Sequence, residues 1–339
     1  MTDLSPQDLA LLKLVLKGRS VIDSHRLLFK NDDEVRDFLK VNEFDLDRPK
    51  DLERLRSIQA EAVAYLQREL QFGIAPELLK PFEDGSEVLV LFKTASDIVK
   101  RDRTLQTQAC GLLKTMNIVN HIDGRELLYN CPISLRDLFS LAEDKIERSL
   151  SSLSLSDPSL LRYKGGRKPK ESVITKLLCK RETIAAQVYD RVRYRIVTRK
   201  REDIMTVLLH LFHTVLPFNY VIPGASVNQL ISLKEKNRLE AHFGKLRKVL
   251  SGSAKSMEYS GKNYKVCKFV VDIPVRMDNF LAQSGGSVYR ESLGSIAYVL
   301  VEFQIVDEAA EAGNNTGESS HENYKKRQKR GVLRRLTGK

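Results

Sequence analysis

The sequence predicts an α+β fold, and three observations lead to this prediction. Apolar residues recur at helical spacing through most of residues 1–150. Two later stretches, 188–197 and 298–306, are instead rich in β-branched and aromatic residues, as strands are. Between the two kinds of pattern, a serine-rich passage at 151–166 ends in two glycines, which is typical of a linker or boundary. We therefore predict a mostly helical domain over 1–150 and a second domain, which contains the strands, over 151–339.

The composition is that of a soluble globular protein with a basic surface. The 339 residues, of which 42% are hydrophobic and 29% charged, are enough for two domains with a core each. The formal net charge of +12 favours a polyanionic partner such as RNA, nucleotides or an anionic surface.

The four cysteines are widely scattered and show no paired spacing, which predicts free thiols rather than a disulfide frame or a zinc site. They are Cys110, Cys131, Cys179 and Cys267. The amino terminus lacks a signal-peptide pattern, and no apolar run is long enough to span a membrane. We expect a cytoplasmic protein with no membrane partner, and no sequence feature predicts its oligomeric state.

In the first half, the apolar spacing and the capping residues predict a series of helices. Their expected ranges are 5–18, 32–39, 52–70, 104–129 and 134–150. The apolar run at 88–92 suits either a strand or a buried helix. His25 and His121 are expected to be packing or surface residues, and no His-Asp dipeptide supports an HD-type phosphohydrolase. We assign this half a structural, regulatory or partner-binding role.

The second half begins with a basic segment and then places two isolated acids on predicted strands. The basic segment, 167–180, could be a helix or a strand, and it suits either a triphosphate or a solvated face. Asp190 lies among arginines in the stretch 188–197, and Glu302 interrupts the apolar stretch 298–306. The two carboxylates could meet across a sheet and share a divalent cation. The alternative is an ordinary edge strand with a solvated charged face.

Taken together, several short pieces of residues 151–339 resemble the synthetase domain of the RelA/SpoT family, in the family's order. Ser172 and Lys176 match a basic stretch ending in Ser-Ile-x-x-Lys, and Asp190 and Arg195 match an Asp-x-x-x-x-Arg-Ile strand. An apolar helix over 203–213 follows, as in the family. The remaining matches are to a Glu-x-Gln-Ile strand and to a closing Gly…His-x-x-Tyr-Lys helix; they are Glu302, Gln304, Gly317, His321, Tyr324 and Lys325.

The resemblance implies a mixed β-sheet flanked by helices, with a nucleotidyltransferase-like fold that transfers pyrophosphate from ATP. The acceptor would be GDP or GTP, as in synthesis of the stringent-response alarmone ppGpp. Asp190 and Glu302 would hold Mg²⁺, and Glu302 would also accept the proton of the attacking hydroxyl. ATP and its phosphates would be bound by Arg167, Lys168, Lys170, Lys176, Arg195 and Arg201, with Lys200 or Arg201 near adenine. The acceptor would be bound by Tyr264, Gln304 and His321.

This sequence departs from the family's acceptor loop, Gly-Tyr-x-Ser-x-His. Tyr264 is retained, but Asn263, Val266 and Lys268 replace the Gly, Ser and His. A lysine-rich helix is predicted over 230–256 as an insertion. Val306 also replaces an arginine of the family. A larger acceptor, such as the 3′ end of a tRNA, would account for the altered loop and the added charge.

Two other functions remain open from the sequence. The first is a catalytically inactive module that binds RNA or a nucleotide, to which the basic tail after Glu322 would contribute unless that tail only aids solubility. The second is an α/β scaffold whose helical half binds another protein.

Overall fold

The structure is a computed structural model, and it describes residues 12, 15, 16, 22, 27–96, 102–179, 191–231, 263–283 and 292–337. The α-helices of this part are listed in chain order. They are α1 (Asp32–Val41), α2 (Pro49–Arg68), α3 (Gly85–Ser96), α4 (Arg103–Asn130), α5 (Leu135–Ser156), α6 (Lys170–Cys179), α7 (Asp203–Thr214), α8 (Asp278–Gln283), α9 (Glu308–Asn314) and α10 (His321–Thr337).

Within the described residues, five strands form one mixed sheet in the order β1-β2-β5-β4-β3. The strands are β1 (Leu160–Arg167), β2 (Val192–Thr198), β3 (Val227–Asn228), β4 (Cys267–Arg276) and β5 (Ile296–Asp307). The β2–β5 pair is parallel, and the other pairs are antiparallel. The long central strand β5 therefore has a hydrogen-bonded neighbour on each side. The α+β class and the mixed sheet flanked by helices are confirmed.

Side-chain caps account for the starts of several helices. The Asn31 side chain accepts from the Glu34 N–H at 2.9 Å ahead of α1, and Ser134 accepts from the Asp137 N–H at 3.1 Å ahead of α5. Asp102 accepts from two backbone N–H groups at the start of α4. Each cap satisfies N–H groups that lack a partner within the helix.

The helices of the first half pack against one another and against the sheet, so the buried apolar residues of the two halves form one continuous cluster. Helix α4 approaches strand β5 closely, because Gly124 lies against the Tyr298 ring. On the same helix, His121 lies 2.9 Å from the buried Asp272 carboxylate and packs against the rings of Tyr220 and Tyr298. The division into domains at residue 150 stays a prediction.

Most of the helices and strands expected from the sequence are present. The structure also decides between helix and strand for the two segments where the sequence allowed either. The run at 88–92 lies in helix α3, and the basic segment forms helix α6. The expected helices at 32–39, 52–70, 104–129 and 203–213 correspond to α1, α2, α4 and α7. The expected strand at 298–306 lies within β5. Of the stretch 188–197, residues 188–190 lie outside the described residues, Arg191 precedes β2, and residues 192–197 belong to β2.

The serine-rich passage is not a linker, but it does contain a boundary between two elements, which was the other alternative. Helix α5 continues through it to Ser156, and β1 begins at Leu160. Leu150 and Leu153 are buried, so the helix keeps an apolar face while most of its serines are exposed. The two glycines lie within β1, where the Tyr194 ring of β2 occupies the space that a side chain at Gly165 would need.

The remaining predictions concern two expected helices, the four cysteines and the absence of a membrane-spanning segment. The expected helix at 5–18 and the lysine-rich helix at 230–256 lie largely outside them. Cys110, Cys131, Cys179 and Cys267 form no disulfide bond with one another, as expected, and all four are buried. Among the described helices, none combines the length and the apolar character that crossing a bilayer requires.

Candidate active site on the sheet

The candidate site is a polar face formed by the three adjacent strands β2, β5 and β4. Arg193 pairs with Glu302, and Arg195 pairs with Gln304, across the parallel β2–β5 ladder. On the other side of β5, Lys268 pairs with Gln304. Directly paired residues point to the same face of a sheet, so these polar side chains share one face.

The opposite face of the same strands is aromatic and buried. The Phe303 ring stacks on Phe269 at a centroid distance of 5.5 Å and on Tyr194 at 6.0 Å. All three side chains are almost fully buried. The alternation of polar and aromatic residues in the sequence is therefore the cause of a one-sided polar face.

Glu302 is the central carboxylate of the polar face and is 6% exposed. Its Oε1 accepts a hydrogen bond from Gln304 Nε2 at 2.6 Å. Its Oε2 lies 3.8 Å from the ammonium of Lys268, whose side chain is 15% exposed. A carboxylate removed from water in this way requires such partners, because burial of an unpaired charge is costly.

Arg195, which the resemblance assigned to ATP, forms hydrogen bonds with two residues that it assigned to the acceptor. Its Nη1 donates to the Tyr264 hydroxyl and to Gln304 Oε1, both at 2.9 Å. Its Nε donates to Glu311 Oε2 at 2.9 Å. Burial works to lower the pKa of Arg195, but contacts with Tyr264 and Glu311 outweigh it and raise that pKa above its usual value. Arg195 is therefore a fixed positive charge on this face.

Two of the predicted phosphate-binding arginines are engaged elsewhere. Arg167 forms a two-point ion pair with Glu143 of helix α5, at 2.9 and 2.6 Å, and donates to Ser140. The hydrogen bond to Glu143 raises the pKa of Arg167. Arg201 donates to the carbonyl of Leu230. Binding of phosphate by either guanidinium would require it to exchange or share these partners.

Of the remaining predicted site residues, the structure describes the three lysines but not Asp190 or the side chain of His321. Lys170 is exposed, whereas Lys168 and Lys176 are partly buried. The backbone N–H of Lys168 donates to Arg191 O at 2.8 Å, so the start of the basic segment adjoins the start of β2. Asp190 and the side chain of His321 lie outside the described residues, and their roles stay predictions.

The chemistry of the described side chains fits a magnesium ion in part. Within the described residues, no group of three or more His, Cys, Asp or Glu side chains is close enough to hold a metal ion. Mg²⁺ in phosphate-transfer sites commonly takes one or two protein carboxylates and completes its coordination with phosphates and water. Glu302 can supply one such carboxylate, and a second would have to come from a residue such as Asp190.

Sequence reasoning missed two members of this network. Lys268 was noted as a departure from the family but not as a partner of Glu302, and the pairing of β4 with β5 is what brings them together. Glu311 was not considered, because an isolated glutamate in an alanine- and glycine-rich helix gives no signal of a distant partner.

The fold and the site define an α+β protein with a carboxylate, a guanidinium, an ammonium and a phenol on one polar sheet face. No family model matches the chain, and no curated protein matches it in sequence. It is similar in structure to small alarmone synthetase 1 from Bacillus subtilis, with 18% identity and a TM-score of 0.30, over 58% of this chain and 85% of that chain.

Further solved structures of the same kind are similar to this chain. Small alarmone synthetase 2 from Bacillus subtilis is 14% identical, with a TM-score of 0.29, over 59% of this chain and 92% of that chain. A GTP pyrophosphokinase family protein from Streptococcus pneumoniae is 14% identical, with a TM-score of 0.27, over 58% and 83%. They are the kind of protein that the motifs predict, but TM-scores of this size do not define a shared site.

Proposed function

We propose that the protein transfers pyrophosphate from ATP to a hydroxyl group of a nucleotide such as GDP or GTP, in a magnesium-dependent reaction. One observation carries the proposal. The buried carboxylate of Glu302 is joined through Gln304 to Arg195, and these three residues come from two separate sequence motifs that meet on one sheet face.

Glu302 is the proposed general base. It would accept the proton from the acceptor hydroxyl as the oxygen attacks the β-phosphorus of ATP. The bond between the β-phosphorus and the oxygen that bridges to the α-phosphorus breaks, and AMP leaves. Lys268, 3.8 Å from the same carboxylate, holds it in place and adds positive charge where the phosphates would lie.

Arg195 and Tyr264 are the proposed positioning pair. The guanidinium holds the tyrosine hydroxyl at 2.9 Å, which orients the phenol ring for stacking on the acceptor base. Mg²⁺, when bound by Glu302 and Asp190, would neutralise the phosphate charge. Lys168, Lys170 and Lys176 would add cations along the triphosphate, whereas Arg167 and Arg201 would have to exchange partners to do so.

The test is transfer of label from ATP with a γ-³²P label, in the presence of magnesium and of GDP, GTP or bulk tRNA offered separately. We expect labelled guanine nucleotide and an equal amount of AMP. Glu302→Gln should lower this rate at least about a hundredfold, because a positioned base contributes about that much. The matched control is Glu308→Gln, an exposed glutamate close in sequence, which should keep the wild-type rate.

The outcomes separate the possibilities. Label on tRNA would make an RNA 3′ end the acceptor, and Asp190→Asn should also abolish transfer if Asp190 is a magnesium ligand. Full activity of Glu302→Gln would overturn the assignment of the base. Absence of transfer to every acceptor would favour a second candidate, an inactive module that binds RNA or nucleotide. The proximity of Lys268 to Glu302 and the exposed cations of helix α10 support that candidate.

A further inference from the structure

A partly open cavity lies among the helices of the first half, and its lining does not include Glu302, Gln304 or Arg195 of the polar sheet face. Its volume is about 100 Å³, and helices α1, α2, α3 and α4 contribute to its walls. The walls are mainly apolar, and four phenylalanines line it: Phe38, Phe44, Phe82 and Phe92. For comparison, an apolar cavity of about 150 Å³ in another protein binds benzene.

Four asparagines line the cavity, and three of them, Asn42, Asn117 and Asn219, are joined by hydrogen bonds to form its polar end. Asn219 belongs to the short 3₁₀ helix Phe218–Tyr220, which lies between α7 and β3. Its Nδ2 donates to Asn117 Oδ1 at 2.6 Å and to Asn42 Oδ1 at 3.0 Å. The polar end therefore joins Asn42, which follows helix α1, and Asn117 of helix α4 to a segment of the sheet-containing half.

The orientation of the Asn219 amide follows from its neighbours. Asn42 Nδ2 donates to the Phe38 carbonyl at 2.9 Å, and a carbonyl oxygen can only accept, so Asn42 must turn its Oδ1 towards Asn219. Asn219 must then present its own Nδ2, as observed. Its Oδ1 is left buried and without a hydrogen-bond partner among the described residues. A buried acceptor without a donor is costly, so this atom is suited to a donor supplied from the cavity.

We propose that the cavity binds a small aromatic molecule with one hydroxyl group, which donates its hydrogen bond to Asn219 Oδ1. The phenylalanine walls suit an aromatic ring, since edge-to-face contacts add to the burial of apolar area. Lys114 also lines the cavity and offers donors that the hydroxyl oxygen can accept. An aromatic hydroxyl therefore matches both the walls and the polar end.

The test compares phenol with toluene, which have the same number of non-hydrogen atoms but differ in the hydroxyl group. Binding is measured on the full chain by calorimetry and by the shift in melting temperature, without any assay of activity. We expect phenol to bind about tenfold more tightly than toluene, because it alone supplies the missing donor.

Two variants make the test specific. Asn219→Leu should weaken phenol about tenfold and leave toluene unchanged, whereas the exposed Asn315→Leu should change neither. Met116→Phe places a larger side chain on the wall and should abolish binding of both probes, with the helical content checked by circular dichroism.

Equal affinity for the two probes, or binding of phenol to Met116→Phe, would overturn the proposal. Failure of both probes to bind the wild-type chain would do the same, leaving a buried water as the partner of Asn219. Because no readout depends on ATP, these results are independent of the proposed pyrophosphate transfer.

Discussion

Gly124 is a residue at which the packing leaves no room for a side chain. A Cβ at this position would lie 2.5 Å from the Ile296 carbonyl and even closer to the Tyr298 ring. Contacts this short do not occur, so helix α4 or strand β5 would have to move. The glycine therefore sets the distance between the helical half and the central strand.

We predict that Gly124→Ala lowers the free energy of unfolding by about 1–3 kcal/mol, the usual cost of overpacking a core. The matched control is Gly313→Ala in helix α9, where a Cβ would meet nothing within 4 Å. The control should be neutral or stabilising by up to about 1 kcal/mol, because alanine favours helix. Urea unfolding at 25 °C measures both, and equal stability of the two variants would contradict the packing described.

Cys267 is a second residue whose surroundings give it a measurable property. Burial raises the pKa of its thiol from 9.0 to about 12, and burial raises that of Tyr220 from 10.0 to about 12. The folded protein therefore keeps these protons at pH values where the unfolded chain has lost them. The stabilisation they provide is complete below pH 9 and is lost as the pH rises towards 12.

We predict that the free energy of unfolding falls between pH 9 and pH 12, by about 1.4 kcal/mol per pH unit for each such group. Cys267→Ala should be less stable at pH 8, because it leaves a cavity, but should lose stability less steeply above pH 9. Urea unfolding at a series of pH values measures the two slopes. Parallel slopes would show that the Cys267 thiol does not contribute.

At the scale of elements, an ion pair fastens helix α2 to strand β4. Arg276 donates to Asp51 Oδ1 at 2.9 Å and to Oδ2 at 2.8 Å, and the Asp51 side chain is 6% exposed. Burial works to lower the pKa of Arg276, but Asp51 outweighs it and raises that pKa. Such a pair joins parts of the chain that are far apart in sequence.

We predict that Asp51→Ala costs about 3 kcal/mol of stability, because it leaves a partly buried guanidinium without its main partner. Asp47→Ala is the control, since the Asp47 side chain is 81% exposed and its pair with Arg36 spans 3.5 Å. The control should lie within about 0.5 kcal/mol of the wild type. Thermal and urea unfolding of the two variants test this, and a similar loss in both would disprove the role of Asp51.

Contacts with helix α6 fix the position of the basic C-terminal helix. Helix α10 lies against helix α6, where Cys179 Sγ is 3.3 Å from the Gln328 carbonyl and Arg335 donates to the Leu178 carbonyl at 2.9 Å. The basic helices α6 and α10 are therefore neighbours, although about 150 residues separate these contacts in sequence. Each had been interpreted separately from the sequence.

At the scale of the whole molecule, the net charge of +12 is the property that bears on RNA binding. Any affinity that depends on phosphate contacts should fall steeply as salt concentration rises, because bound cations are released from the RNA. Several cations of helix α10, including Lys329 and Arg330, are exposed. They are positioned to contribute to such binding.

We predict that tRNA binds at low salt and that the double change Lys329→Glu and Arg330→Glu weakens it about tenfold or more. The control, Lys40→Glu with Lys80→Glu, changes the net charge equally on exposed residues of the helical half. Filter binding over a range of salt concentrations compares the two. Equal losses would indicate a non-specific effect of net charge, and absence of binding at low salt would exclude the RNA-binding module.

Local sequence patterns were enough to predict the α+β class, most helix bounds and the strands around Arg195 and Glu302. These depend on local periodicity and capping, which short stretches contain in full. Only the linker alternative for the serine-rich passage was wrong. Serine favours turns when considered alone, whereas burial of Leu150 and Leu153 in the core keeps residues up to Ser156 helical.

The contacts between distant side chains could not be predicted in this way. The partners of Glu302, the commitment of Arg167 to Glu143 and the unpartnered oxygen of Asn219 all depend on strand pairing and helix packing between distant segments. A sequence pattern specifies which face of an element is polar, but it does not specify which other face lies opposite. That choice is made by the packing of the whole chain, because the free energy of burial is shared among all the elements that form the core.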